Sequence, residues 1–184
     1  MGRRKGKIPV GCSFLVLIGN DKIDVMAETR EKPITKRGRD TPCVRQLSVF
    51  VENRVGALAS LMGIFENSGV RTLALTVMQG VDCAIVRFVF SDADVAADIL
   101  RHNDYRFSIC ELVAVEMPAD SSGDGLARIG KALLSAEVDI HYVYGLITDP
   151  QHAAAVVIHV DNPALASMVL ADEHFVLLDE NDLR

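Results

Sequence analysis

Tryptophan is missing from this chain, and aromatic side chains of any kind are scarce: three tyrosines and seven phenylalanines in 184 residues. A core without large rings must be filled by Val, Leu, Ile and Ala. With hydrophobic residues at 49%, the supply suits compact α/β packing rather than a disordered or fibrous chain. Paired cysteines are missing too. Cys12, Cys43, Cys83 and Cys110 form no C-x-x-C step and no short secreted framework, so they read as buried or idle thiols of a reducing, cytoplasmic compartment. The apolar run at 8–18, behind Arg3, Arg4, Lys5 and Lys7, has about 11 residues where a membrane span needs about 20. It imitates a secretory signal only loosely, since Gly19-Asn20-Asp21-Lys22 follows without a small-residue cleavage step. Residues 1–42, polar beyond position 27 and broken by Pro33 and Pro42, are therefore expected to be a disordered extension, or to include a start assigned too early, with Met26 as the alternative initiator.

Bases are scarce beyond position 40. Ten of the 19 Lys and Arg lie in residues 1–40 against five acids, leaving nine bases against 20 acids in the rest. So acidic a body lacks the footprint that nucleic acid requires. Catalytic signatures are absent as well: no G-x-S-x-G, no Walker lysine loop, no dinucleotide fingerprint and no H-E-x-x-H. Asp92 and Asp94 are carboxylates at a helix start, where capping and dipole complementation explain them without acid-base chemistry. An enzyme is not expected, and no cofactor is implied.

What the chain does contain is concentrated first at 46–79. Residues 46–52 are β-branched and apolar, 53–56 are turn chemistry, and Leu58, Leu61, Met62 and Phe65 fall on one helical face. Gly69 supplies a helix stop, and 70–78 resumes as a strand. This turn brings the N–H groups at 56–58, which have no intrahelical acceptors, to the edge of a sheet, where a carboxylate is a natural occupant. Val81-Asp82 then reads as a hairpin turn, 83–90 as a strand, 92–102 as a helix with Val95, Ala96 and Ile99 facing inward, and 107–117 as a strand. The order is β-α-β-β-α-β, whose usual result is a four-stranded antiparallel sheet with both helices on one face.

The order recurs. Leu58, Leu61, Phe65 and Val70 reappear 68 positions later as Leu126, Ile129, Leu133 and Val138, and CAIVRFVFSD has its counterpart in AAVVIHVDN. The fold class expected is therefore α+β, two ferredoxin-like βαββαβ domains, the first over 43–112 and the second over 113–184. The strand at 111–117 closes one copy and opens the next, and 118–124 is the second copy's turn. So short a junction implies a rigid pair.

Tandem units of this kind with ENRVGALASL at the first strand-to-helix turn resemble a pair of ACT domains, over roughly residues 44–182. In that family the turn reads D-x-P-G-x-L or N-x-P-G-x-L, and the domain is a regulatory sensor for amino acids and other small ligands. Its second strand often forms the edge by which copies pair, and the ligand lies in the seam between turn and edge strand. The resemblance implies that the side-chain oxygen of Asn53 holds a ligand's amino group and that the N–H groups of Gly56, Ala57 and Leu58 receive its carboxylate. Val55 replaces the usual proline, which removes a φ lock but no donor. Met78, on the second strand, lines the seam. In the second copy the turn is two residues longer, with Asp124 where the glycine should be, followed by Gly125 and Leu126. A carboxylate there would repel an anionic ligand.

Tyr142 and Tyr144 alternate onto one face of the strand VDIHYVYGLI, with His141 on the other, and two tyrosines in an aromatic-poor chain could line a ligand seam or serve ordinary packing. His141 and His159 lie on adjacent strands, with His152 near the intervening turn, so a zinc or nickel site is conceivable. RNA recognition is not expected, because the exposed aromatic and basic signatures are missing. The function expected is a non-catalytic, amino-acid-binding regulator that works as a homodimer or on a partner enzyme. The alternatives are a partner-binding module without its own ligand and a metal sensor.

Overall fold

The computed structural model describes residues 42–81, 83–118, 124–147 and 154–183. Asp82, most of the 118–124 turn, His152, Cys12 and the 1–41 segment lie outside them. Residues 41–184 make one compact unit. The described elements run β1 (Val44–Glu52), α1 (Ala57–Gly63), β2 (Thr72–Gln79), β3 (Cys83–Phe90), α2 (Ala93–His102), β4 (Arg106–Glu116), α3 (Gly125–Ser135), β5 (Ile140–Gly145), β6 (Ala155–Val160), α4 (Pro163–Asp172) and β7 (Leu177–Leu178). This is the tandem βαββαβ order read from the sequence. No helix among the described residues is long and apolar enough to cross a membrane.

The strand order is β2-β3-β1-β4-β6-β5, all neighbours antiparallel, with β7 pairing β4 as well. β4 is the hinge of the design. Its first part pairs β1, from Phe50↔Arg106 to Val44↔Leu112, and its second part takes β6 from Val113↔Ile158 onward, with β7 at Ala114 and Val115. One strand thus ends the first copy and begins the second.

Alternation then sorts the side chains. On β1, Leu47 and Val49 point to α1 and α2 and meet Val86, Phe88 and Phe90 of β3 in the first core. Val113, Val115, Ile158 and Val160 do the same under α3 and α4. The opposite faces of the two halves close on each other: Val44, Leu73, Ala74, Val89, Leu112, Ala114 and Val157 form a third core. The sheet therefore curls until its two edges approach, and the N–H of Ile147, just beyond β5, donates to Leu73 O of β2 at 2.6 Å.

The helices differ from expectation in two respects. The buried face of α2 is Ala93, Ala96, Ala97 and Leu100, while Val95 is exposed and Ile99 half-buried. Small alanines let the helix lie close to the sheet around Leu100, with Ile99 packed at the margin of the core and Val95 turned outward. α1 stops at Gly63 and loosens into turns bonded three residues back, Phe65 to Met62 and Glu66 to Gly63, before Gly69 at φ +76°. Its buried stripe is Ala57, Leu61 and Phe65, so Leu58 is not a core residue but a surface one. Leu126 repeats that placement in α3, where Ile129 and Leu133 are buried. α2, α3 and α4 close alike, with Asp104, Glu137 and His174 left-handed and the following amide bonded back to Leu100, Leu133 or Leu170.

Candidate functional site

β1 hands over to α1 through a tight reversal. Arg54 N–H donates to Glu52 O at 2.9 Å and Ala57 N–H to Arg54 O at 3.2 Å, so one of the three expected amide donors is already engaged. Gly56 sits at φ +85° and ψ −10°, a conformation a side chain resists, and no side chain caps the helix. A Cβ at Gly56 would meet nothing within 4 Å. Val55 is fully exposed and Leu58 is 38% exposed, giving the open turn an apolar margin. Asn53 is bound to the neighbouring hairpin: its Oδ1 accepts from Gln79 Nε2 at 3.2 Å, and its Nδ2 donates to Gly80 O at 3.1 Å. A ligand amino group would have to share that oxygen, using its second lone pair.

The second turn is built differently. Asp124 stands exposed at the start of α3 with φ −88° and makes no capping bond. Gly125 is buried, and a Cβ there would lie 2.9 Å from Met117 Cε and 3.0 Å from Pro118 Cδ. Glycine is thus favoured at 56 by backbone angle, while at 125 a side chain would press on Met117 and Pro118. Leu126 is again at the surface.

Tyr142 and Tyr144 belong to a third place, the polar end of the interior between the two halves. Gln46, fully buried and directly opposite Cys110 on β4, is its centre. The Tyr144 hydroxyl donates to Gln46 Oε1 at 2.7 Å, and Gln46 Nε2 faces Ser48 Oγ at 2.9 Å, Tyr142 Oη at 2.9 Å and Cys110 Sγ at 3.2 Å. Burial pushes both tyrosines above the ordinary phenol range. Arg87 of β3 stacks on the Tyr142 ring, 4.1 Å from its centroid, with Nη2 3.9 Å from Met78 Sδ. Met78 is thereby joined to the tyrosines, whereas Asn53 is joined to the β2–β3 turn.

His141 does not stay on the face opposite the tyrosines. A register shift between Ile140 and Tyr142 interrupts alternation, and His141 turns onto His159 with Nδ1 atoms 2.8 Å apart. The His159 ring stacks on Tyr142 at 4.7 Å with planes 5° apart. Among the described residues no group of three His, Cys, Asp or Glu is placed to hold a metal, and these two nitrogens satisfy each other.

The expected residues therefore fall into three places: the open turn with Asn53, Val55, Gly56, Ala57 and Leu58; the start of α3 with Asp124, Gly125 and Leu126; and the interior cluster with Tyr142 and Tyr144, at whose margin the half-exposed Met78 lies. Sequence reasoning missed Gln46, Arg87 and Cys110. The one available signal was a glutamine in the middle of an apolar strand.

Two curled βαββαβ units sharing one strand, each with a polar strand-to-helix turn, define a tandem ferredoxin-like protein. The family model described as an ACT domain pair matches residues 42–184, and the chain belongs to that family. Its structure is similar to that of the protein BT0572 from Bacteroides thetaiotaomicron, with 28% identity and a TM-score of 0.70, covering 79% of this chain and 98% of that one. In fold alone it is similar to the regulatory subunit of aspartate kinase from Thermus thermophilus in its ligand-free form, with 13% identity and a TM-score of 0.50 over 72% and 93% of the two chains. No match was found among curated protein sequences.

Proposed function

We propose that this ACT domain pair is a non-catalytic regulator whose first turn binds an amino acid, and that the ligand alters how the pair associates with a second copy or with a partner enzyme. The observation that carries the reading is the uncapped turn around Gly56, open in front and left-handed in the backbone, whereas a Cβ at Gly125, at the start of the second copy's helix, would press on Met117 and Pro118. The carboxylate would meet amides at 56 and 58, and the exposed Leu58 and Val55 would flank its side chain. Tyr142 and Tyr144, on β5 of the second half, would act from the interior cluster rather than touch the ligand, with Arg87 linking them to Met78 of β2. Regulation needs only that the ligand prefer one association state over another.

A second reading is favoured by one contact. Gln79 already occupies Asn53 Oδ1, as expected of a turn that is structural, and the chain would then be a partner-binding module whose exposed β2 side chains, Val77 and Met78, meet another protein. Titration calorimetry on Gly56→Asp separates the two. Aspartate is among the residues that tolerate a left-handed backbone, so the fold survives at a cost of about 1 kcal/mol, while amino-acid affinity drops at least tenfold. Unchanged affinity would remove the first turn from the mechanism.

A further inference from the structure

His141 and His159 meet across the β5–β6 pair with Nδ1 atoms 2.8 Å apart. At that separation one ring donates and the other accepts, so the contact requires at least one bare nitrogen. Two protonated rings have no acceptor between them and set like charges face to face. The surroundings sharpen this. Arg87 from β3 places a third cation on the far ring of the stack, over Tyr142, and the Tyr142 hydroxyl lies near Cys110 of β4 and Gln46 of β1. The carboxylate nearest His141 is Asp139, whose Oδ2 is 3.8 Å from Nε2 on a largely exposed side chain; Asp161 accepts from the Asp139 amide at 3.1 Å. His159 is 8% exposed, and among the described residues β5, at the sheet edge, pairs β6 alone as a strand.

We propose that the His141–His159 contact is a proton-operated latch on β5: it holds the edge strand while the pair carries no more than one proton, and acid releases the strand together with the tyrosine bridge to Gln46. Burial, followed by His141 and Arg87, lowers the pKa of His159. The unfolded chain therefore takes up its proton first, so the stabilisation is complete above about pH 6.5 and is lost as pH falls from there toward the folded value. The latch stands whether or not the first turn holds a ligand.

Amide hydrogen exchange of the full chain at pH 7.5 and 5.5, corrected for intrinsic rates, tests it. The expected result is at least a tenfold loss of protection in β5 at pH 5.5 while β1 keeps its own, and disappearance of that loss in His141→Gln, which retains hydrogen bonding without a second charge. Parallel changes in β1 and β5, no change, or an undiminished loss in His141→Gln would overturn the proposal. If that variant does not fold, imidazole nitrogen NMR of the parent protein decides. Two separated protonation steps, with β5 amide shifts following the second, support the latch; two independent titrations without β5 movement refute it.

Discussion

Gln46 is fully buried, yet its amide is matched at both ends: Oε1 accepts from the Tyr144 hydroxyl, and Nε2 faces Tyr142, Ser48 and Cys110. Such a group fixes how the two halves register, because any slip leaves a buried donor or acceptor without a partner. Gln46→Leu strands the Tyr144 hydroxyl and should lower stability by about 1–3 kcal/mol, read as an earlier midpoint in urea unfolding. An unchanged midpoint would show that the cluster is not held by the amide. At this scale the sequence was only partly legible. The tyrosines stood out because rings are rare here, but their partner lies 96 and 98 positions away, a distance no local pattern bridges. Leu58 was misread for a different reason: the spacing 58, 61, 62, 65 and the spacing 57, 61, 65 both fit a helix, and only packing against the sheet chooses between them.

Elements were legible where periodicity or punctuation was strong. The strands at 83–90 and 155–160, the Asp92 cap, whose side chain accepts from Asp94 and Val95 amides, and the shared strand at 111–117 follow directly from residue order. What punctuation could not convey is the tie between β1, α2 and the C-terminal segment. Arg45, on β1, forks between Asp94 at 2.6 and 3.0 Å and Glu180 at 2.6 and 2.8 Å. Its pKa is raised by these bonds, Glu180 first. The residues involved are spread over the whole chain, so nothing in a local window pairs them. Glu180→Gln keeps the shape and removes one charge. The expected loss is about 1–2 kcal/mol, as for a charge-assisted hydrogen bond on a part-buried group, accompanied by faster proteolysis of the segment after β7. Equal proteolysis rates would mean that β7 alone holds the tail.

On the scale of the molecule, the internal repeat announced two copies, and the copies agree even in their surface leucines, 58 and 126. The curl that brings their inner faces together was not legible, since each strand alternates in the same way whether its second face meets solvent or another sheet. A Cβ on Gly56 would meet open space, whereas one on Gly125 would press on Met117 and Pro118, so the proposed docking of a small zwitterion centres on Gly56. Thermal unfolding of the full chain with each of the twenty amino acids at millimolar concentration tests this most directly. The predicted result is stabilisation by one or a few of them, roughly 2.7 kcal/mol at a hundredfold excess over Kd, absent in Gly56→Asp. No shift with any of the twenty would contradict amino-acid sensing and leave partner binding as the function of the pair.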